Sequence, residues 1–278
     1  MRKSVQWCEP TSPDFAARDM TNAIAVLPVA AIEQHGPHLP TGVDAMIMEG
    51  YLERVLTLLP DDIDTLFLPL QNIGTSHEHI DFPGTLTLAP ETLMHMLIDI
   101  GSSVSRTGCR KLILVNSHGG NSSVLDLVAR ELRRQHHMLA VTVSWSQFGY
   151  PARLFDAEEI AHGIHGGDIE TSLMLAFQPA WVRTENIADF PPSSLTMTRD
   201  FKWLNSSRPA GFGWMAQDLS PSGAMGAASR ATREKGETCA THGARAFIEL
   251  LCDEKSSISP DCRPVRWFSG DASAYLRS

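Results

Sequence analysis

Four short apolar runs alternate with amphipathic stretches along the first two thirds of the chain. The runs have the continuous apolar character of buried strands and cover residues 23–32, 65–70, 111–115 and 138–145. The other stretches repeat apolar positions every three or four residues, as helices do, over roughly residues 43–59, 90–107, 122–136 and 168–177. This alternation predicts an α/β fold, a three-layer α/β/α sandwich with a mainly parallel central sheet.

The pattern is looser after residue 181. Prolines at 191–192 precede a stretch rich in Gly, Ser and Ala over residues 211–231, and a further helix is predicted near residues 232–252. The polar segment 253–278 is expected to be a C-terminal extension that either packs on a neighbouring subunit or is mobile. Since the sequence contains neither an internal repeat nor a long linker, we predict one domain over residues 1–278.

Charge and composition exclude several classes of protein. Lys and Arg number 23 against 32 Asp and Glu, which gives a formal net charge of −9 with no dense basic run, so nucleic acid is not expected as a partner. The start of the chain lacks the apolar core of a signal peptide, and apolar stretches fall short of the roughly 20 residues that cross a membrane. We therefore expect a cytoplasmic protein that does not enter the membrane.

The five cysteines lack CxxC spacing, so they are interpreted as reduced thiols. A metal ion would then need nitrogen and oxygen ligands. Cys239 and His242 are three residues apart on the predicted last helix and could form a thiol–imidazole pair, but their apolar neighbours favour a packed structural cysteine. The GxSxG motif of many serine hydrolases does not occur.

Candidate metal ligands follow the first predicted strand. Glu33 and His35 are separated by one residue, so the two-residue period of a strand places both side chains on the same side. Asp44 opens the next helix, and a carboxylate there can bridge two cations. The alternative is a pair of solvated loop residues and an acid favoured by the helix dipole. The three residues together favour a metal site.

His118 follows the third predicted strand and precedes two glycines that permit close approach of a ligand. We interpret it as a metal ligand. A phosphate-binding loop over residues 117–121 is the alternative, although it lacks the Walker lysine and the GxGxxG spacing. Asn121 is also a candidate cap for the following helix.

Two further histidine segments are ambiguous. His165 lies just before a helix that begins with Asp168 and Glu170, which fits either a site component or acids stabilised by the helix dipole. His77 and His79 are too close together for the HExxH zinc signature, so this segment, taken alone, is interpreted as a structural polar loop.

Taken in order, these motifs identify a resemblance. They are Glu-Gln-His-Gly at 33–36 with Asp44, Ser-His-Glu-His at 76–79, Phe-Pro-Gly-Thr at 82–85, Asn-Ser-His-Gly-Gly-Asn at 116–121 and His-Gly-Gly-Asp-Ile-Glu-Thr at 165–171. The ordered set resembles the creatininase (creatinine amidohydrolase) family from about residue 23 to 171, with a weaker match at 231–236. None of the motifs is decisive alone, but their order is specific.

The resemblance implies a two-metal site, commonly zinc with manganese or iron, often in a hexamer. Carried onto this sequence, it gives Glu33, Asp44 and His118 as ligands of one cation, and His35 with Asp44 as ligands of the other. Asp44 bridges the two. We therefore expect two divalent ions, Zn²⁺ foremost with Mn²⁺ or Fe²⁺ as alternatives, and a homo-oligomer.

One position departs from the pattern. In creatininase the second cation also takes a glutamate two residues after the histidine that matches His118, and here that position is Gly120. We consider Glu170 the candidate for the missing carboxylate. The HGGN form resembles branches of the family outside true creatininases, so creatinine itself is in doubt as the substrate.

The implied activity is metal-dependent hydrolysis of a C–N bond in a small amide, cyclic amide or formamide. His165 is the first candidate for the acid that protonates the leaving nitrogen, and His79 is the second. The alternatives are a hydrolase of a sugar or inositol derivative, a peptide-processing protein, or a ligand-binding module with one metal. Aromatic side chains that either line a substrate pocket or merely pack are Trp145, Phe148, Tyr150, Trp203 and Trp214.

Overall fold

The computed structural model describes residues 5–207 and 209–256, so most of the predicted C-terminal extension lies outside the described residues. The β-strands in this part of the chain are β1 (Val5–Gln6), β2 (Ile24–Val29), β3 (Thr65–Phe67), β4 (Lys111–Asn116), β5 (Leu139–Ser144), β6 (Asp189–Phe190), β7 (Leu204–Asn205), β8 (Ala210–Gly211) and β9 (Gly226–Ala227). The α-helices are α1 (Ser12–Ala17), α2 (Val43–Leu58), α3 (Pro90–Arg106), α4 (Ser122–His136), α5 (Ala157–His162), α6 (Asp168–Phe177), α7 (Ser194–Asp200), α8 (Ala216–Leu219) and α9 (Arg233–Ser256).

The central sheet has the strand order β1-β3-β2-β4-β5, and all of its neighbours are parallel. The four predicted apolar runs form β2 to β5, which confirms the α/β fold with a parallel central sheet. The short edge strand β1, which pairs with Leu66 and Phe67, was not predicted. Two residues are too few to show a strand period in a sequence.

Helices cover both faces of the sheet because the side chains of β2 alternate. Ile24 and Val26 belong to one core cluster, which is completed by residues of α2, α6 and α9. Ala25 and Leu27 belong to a second cluster, which is completed by residues of α3 and α4. These two cores give the three predicted layers. Because all the strands of the central sheet are parallel, their carboxyl ends lie at the same edge of the sheet.

The segment between α6 and α9 contains the short strands β6 to β9 and packs partly on the loop before α6. His165 and Met225 exchange two backbone hydrogen bonds. Gly223 has a positive φ of 76° and lies so close to the Gln34 amide that a Cβ there would collide with it. The glycine-rich stretch therefore helps to hold the residues at the carboxyl end of β2. Within the described residues, no helix combines the length and apolar composition needed to cross a bilayer.

Candidate metal centre

The predicted ligands converge at the carboxyl ends of β2 and β4. Glu33 and His35 follow β2, and His118 follows β4. Asp44 lies in the first turn of α2 and Glu170 in the first turn of α6. The first four are at most 4% exposed, whereas Glu170 is partly exposed. Proteins with open parallel sheets bind their substrates and cofactors outside the carboxyl ends of the strands. The five side chains therefore lie where a binding site is expected.

Asp44 lies between two histidines. Its Oδ1 is 3.9 Å from Nε2 of His35, and its Oδ2 is 3.6 Å from Nδ1 of His118. Oε1 of Glu33 is 3.2 Å from the same His118 nitrogen, while Oε2 of Glu170 is 3.7 Å from the same His35 nitrogen. Two atoms that each lie about 2 Å from one ion are about 3–4 Å apart. Each imidazole thus lies at such a distance from two carboxylates, and Asp44 is common to both. Ligand atoms within 4.8 Å of one another also occur in two sets that include His165, one with Glu33 and His79 and one with His35 and Glu170.

Backbone carbonyls orient both imidazoles. Nδ1 of His35 donates to the carbonyl oxygen of Glu33 at 3.0 Å, and Nε2 of His118 donates to that of Thr75 at 2.9 Å. When each ring is neutral, the other nitrogen carries a lone pair that faces the carboxylates. A carbonyl on the far nitrogen is the usual partner of a metal-bound histidine.

Several polar atoms at the centre of the site lack a partner. Oε2 of Glu33, Nε2 of His35 and Oδ2 of Asp44 are buried and make no hydrogen bond among the described residues. Buried polar atoms are rarely left without a partner. A divalent cation would satisfy all three, and a set of imidazoles and carboxylates suits zinc, manganese or iron. The residues present therefore fit a metal centre.

Negative charge dominates the cavity of about 240 Å³ at this site. Four of the residues that line it are the acids Glu33, Asp44, Glu78 and Glu170, and the described lining includes neither Lys nor Arg. Burial, reinforced by the charge of Glu33, raises the pKa of Asp44 well above its usual range. Burial also raises the pKa values of Glu78 and Glu170. A site with this many acids needs a cation or a proton.

In the metal-free protein, a proton on His118 provides this compensating positive charge. Burial alone would lower the pKa of His118, but the charges of Glu33, Asp44 and Glu78 outweigh it and raise the pKa to about 10. His35 differs because burial is the stronger influence and lowers its pKa to about 4. A metal ion at Nδ1 must therefore displace the proton of His118, and the raised pKa of Asp44 favours a proton on that ligand as well.

His165 lies against the ring of His35. Their ring centroids are 4.0 Å apart, and the ring of His79 stacks at 4.2 Å on His165. Nε2 of His165 donates to the carbonyl oxygen of Gln34, so its Nδ1 carries the lone pair, 3.6 Å from Oε1 of Glu33. Burial lowers the pKa of His165 to about 4, so this lone pair is available at neutral pH.

Gln34 fixes the tautomer of His79. The Gln34 side-chain oxygen accepts from the Gly36 amide at 2.9 Å, and its nitrogen donates to Nδ1 of His79 at 2.7 Å. The proton of His79 is therefore on Nε2, 3.5 Å from Oε1 of Glu33. Residues 77–79 form a short 3₁₀ helix that turns His77 outward and His79 inward. The segment is thus a short helix rather than a loop, and it brings His79 to the cavity.

Several residues near the site make contacts that the sequence did not predict. Asn121 was expected to cap α4, but its side chain accepts from the Thr75 amide at 2.9 Å and donates to the carbonyl of Ala30 at 3.0 Å. The Glu159 carboxylate accepts from the backbone amides of Asp168 and Ala227 and so ties α6 to β9. Gln34 and Glu78 lie within the motifs at 33–36 and 76–79, and no other feature of the sequence indicated that they belong to the site.

Other candidates lie apart from the site. Asp168 points away from it and pairs with Lys235. Cys239 is buried with its sulfur 3.5 Å from the hydroxyl of Tyr51, whereas His242 bonds to the carbonyl of Phe148. These different partners do not form a thiol–imidazole pair.

A second cavity, of about 360 Å³, adjoins the metal cavity. Both are lined by Ser117, His118, Gly119, Ile164 and Glu170. Trp145 and Tyr150 line the second cavity, and Trp214 lines the metal cavity. Phe148 packs on Trp145, and Trp203 is 63% exposed. The predicted pocket aromatics are thus divided between lining and packing positions.

A family model and several curated proteins that resemble this chain point to the same family. The family model described as creatinine amidohydrolase, of the creatininases, matches residues 9–251. Creatinine amidohydrolase of Pseudomonas putida is 32% identical over 85% of this chain and 92% of its own length. Mycofactocin precursor peptide peptidase of Mycobacterium ulcerans is 29% identical over 88% and 86%. A 3-dehydro-scyllo-inosose hydrolase of Thermotoga maritima is 25% identical over 82% and 75%.

Solved structures that resemble this chain belong to the same family. A crystal structure of creatinine amidohydrolase superimposes with a TM-score of 0.74 and 30% identity, covering 92% of this chain and 100% of that one. A manganese form of creatininase and a Zn-Zn form of a creatininase mutant both give TM-scores of 0.71, at 28% and 29% identity. Each covers 90% of this chain and 98% of the other.

Proposed function

The chain belongs to the creatininase family, and we propose that it hydrolyses a C–N bond of a small amide, cyclic amide or formamide with two divalent ions that share Asp44. The observation that carries the proposal is the position of Asp44. Each of its carboxylate oxygens faces a different imidazole, and a backbone carbonyl orients each of those rings. This is the arrangement that a bridging carboxylate needs.

The two groups of side chains divide the ligands. Glu33, Asp44 and His118 would hold one ion, and His35, Asp44 and Glu170 the other. Glu170 would thus provide the carboxylate that Gly120 lacks. We propose Zn²⁺, with Mn²⁺ or Fe²⁺ as alternatives. Such ions, when bound, polarise a carbonyl and make hydroxide available from water at neutral pH.

We propose that His165 moves the proton. Its Nε2–H is fixed on the carbonyl of Gln34, so Nδ1 can accept a proton from the attacking water and return it to the leaving nitrogen. The reaction then balances, since water supplies the oxygen on carbon and both hydrogens end on the products. His165 acts first as base and then as acid, whereas the sequence suggested only the second role.

His79 has the complementary tautomer. Its Nε2–H points into the cavity, where it can donate a hydrogen bond to the oxygen on which negative charge develops. Its pKa is lowered to about 2, first by burial and then by the neighbouring His165, so it stays neutral at pH 7. We therefore propose that His79 stabilises that oxygen, rather than transferring a proton.

The lining of the two cavities supports a neutral substrate, because the two proposed ions would offset the charge of the acids. Its acids are Glu33, Asp44, Glu78 and Glu170, and the described lining contains no Lys or Arg to receive an anion. Serine hydroxyls also line the second cavity, and they favour a polyol such as an inositol derivative as the second candidate substrate. A peptide is the third class, because a peptidase is among the relatives.

We also propose a cytoplasmic homo-oligomer, with a hexamer as the form that the family resemblance suggests. Light scattering gives the mass of the assembly directly. A monomeric mass at micromolar concentration would contradict this part of the proposal, while the ligand assignment would be unaffected because its residues belong to one chain.

Metal analysis of three proteins tests the proposal. Wild type, Asp44→Asn and Asp168→Asn are loaded with zinc or manganese, desalted and assayed on lactams, formamides, cyclic ureas, inositol derivatives and short peptides. Asp168 is as buried as Asp44 but pairs with Lys235, so Asp168→Asn is the matched control. We expect two ions in wild type and in the control. Asp44→Asn should lose ions and about a thousandfold or more of hydrolysis.

Two results would contradict the proposal. One is a wild-type protein that retains at most one ion at saturating metal. The other is Asp44→Asn with two ions and normal turnover.

A further inference from the structure

Glu78 lies beside His118 on the edge of the ring that faces away from the proposed ions. Nδ1 of His118 faces Glu33 and Asp44. Nε2 faces the carbonyl of Thr75 at 2.9 Å, the hydroxyl of Ser76 at 3.4 Å and Oε1 of Glu78 at 3.6 Å. Since the imidazole is rigid, Glu78 lies beside the opposite edge from the one that would bind metal at Nδ1. Glu33, Glu78 and His118 also offer ligand atoms within 4.8 Å of one another, so a loss of the ion far beyond about 100-fold in a Glu78 variant would identify Glu78 as a direct ligand instead.

Gly120 leaves the space that Glu78 occupies. A Cβ at position 120 would lie 2.5 Å from the Thr75 carbonyl oxygen and 2.6 Å from Oε1 of Glu78, and would also collide with Nε2 of His118. These distances are shorter than real contacts allow. The φ of Gly120 is outside the left-handed region, so the requirement is for space. Its neighbour Gly119 has no atom within 4 Å of such a Cβ.

We propose that Glu78 is a positioning residue of the metal centre, which acts on His118 through Nε2, and that Gly120 is required to admit it. The inference rests on the proposed two-ion function. The Thr75 carbonyl accepts the Nε2 proton at 2.9 Å, and the charge of Glu78, 3.6 Å from the same nitrogen, favours a proton there. Both keep the Nδ1 lone pair directed at Glu33 and Asp44. Its negative charge also makes that lone pair a stronger ligand.

The predicted effect is confined to one ion. His118 belongs to the group with Glu33 and Asp44, whereas the other ion takes His35 and Glu170. Loss of an outer carboxylate typically weakens metal binding about 10- to 100-fold. A general defect in folding would instead weaken both ions together. The difference between the two dissociation constants therefore separates positioning from a merely structural role.

Zinc competition with a chromophoric chelator measures both constants. Glu78→Gln keeps the size of the side chain and removes its charge. We expect one zinc constant to weaken about 10- to 100-fold, the other to stay within about threefold, and the melting temperature of the metal-free protein to be unchanged. Gly120→Ala should weaken the same ion, because its Cβ displaces the Glu78 carboxylate or the His118 ring, and Gly119→Ala should match wild type.

The outcomes that contradict the inference differ from those that contradict the proposed function. Wild-type constants in Glu78→Gln, or equal weakening of both ions with a lower melting temperature, would overturn the role of Glu78. A Gly120→Ala variant with wild-type zinc constants would overturn the requirement for glycine. Fewer than two zinc ions in the unmodified protein would overturn the two-ion function on which both depend.

Discussion

The two adjoining cavities differ in chemistry although they share a wall. The metal cavity contains four acids and the rings of His79, His118 and His165, and each ring is held by a backbone carbonyl or by the Gln34 amide. The neighbouring cavity is lined by aromatic and aliphatic side chains and by serine hydroxyls. Under the proposed function, the first cavity would carry the reaction and the second would select the substrate. Substitutions in the first should lower kcat, and those in the second should change KM.

Removal of the His165 ring is expected to have the largest effect among the tests of this division. His165→Gln should lower kcat about 10²- to 10⁴-fold, the range typical of a lost proton-transfer group, on whichever substrate the panel identifies. Both ions should remain, because the proposed ligands do not include His165. Steady-state kinetics with metal analysis of the same sample measures both quantities.

His242→Gln is the control for this substitution, since His242 bonds to the carbonyl of Phe148 outside both cavities. Its kcat should match wild type. Loss of an ion in His165→Gln would show instead that His165 is a metal ligand, a role that its short distance to Glu33 also permits.

Measuring zinc affinity at several pH values tests the charge that we assign to the metal cavity. The pKa of His118 is raised to about 10, since the charges of Glu33 and its neighbours outweigh burial. The metal-free ring is therefore protonated at pH 6–8, and an ion at Nδ1 must displace that proton. Zinc affinity should rise about tenfold per pH unit for each proton released, or about 100-fold from pH 6 to pH 8.

Calorimetry in two buffers of different ionisation enthalpy counts the released protons. We expect at least one per protein at pH 7. A zinc affinity that is flat between pH 6 and pH 8 would show that His118 is neutral without metal. The acids would then need another source of compensating charge.

The contrast between the cavities also shows what the sequence could predict. The helix from Ser122 to His136 was predicted with its observed bounds, because its apolar period is set by burial against the sheet. Glu33, His35 and Asp44 could be grouped because strand period and helix start are local properties. The role of Glu78 could not be predicted, since it depends on the space beside Gly120 and on the tautomer of His118. Those features come from contacts between distant segments.

A substitution in the second cavity should have a smaller effect, confined to KM. Ile160 lines this cavity and is 54% exposed. Ile160→Ala removes part of an apolar wall, and since it is half exposed we expect KM to rise about three- to tenfold, near the lower limit for lost methylene contacts. Steady-state kinetics should show an unchanged kcat and metal analysis two ions.

Leu127→Ala is the matched control, because Leu127 has the same 54% exposure and lines neither cavity. It should leave KM and kcat as in wild type. A fall in kcat without a change in KM in Ile160→Ala would contradict the division between reaction and selection.

The smallest effect on activity is expected at Cys239, which lies behind the wall of the second cavity. Its sulfur contacts the hydroxyl of Tyr51, and Tyr51 lines that cavity. Burial raises the pKa of the thiol to about 11, so the thiolate needed for nucleophilic catalysis is scarce at neutral pH. Cys239→Ala should therefore keep kcat within about twofold, while loss of a buried atom lowers the free energy of unfolding by about 1 kcal/mol.

Urea unfolding and kinetics on the same preparation measure the two effects of Cys239→Ala, with Cys8→Ala as the control because Cys8 is exposed. Cys8→Ala should change neither quantity. If Cys239→Ala abolished hydrolysis while both ions stayed bound, the reaction would depend on a thiol outside the metal cavity. The assignment of chemistry to one cavity and selection to the other would then fail, because a residue that reaches the substrate only through Tyr51 would control kcat.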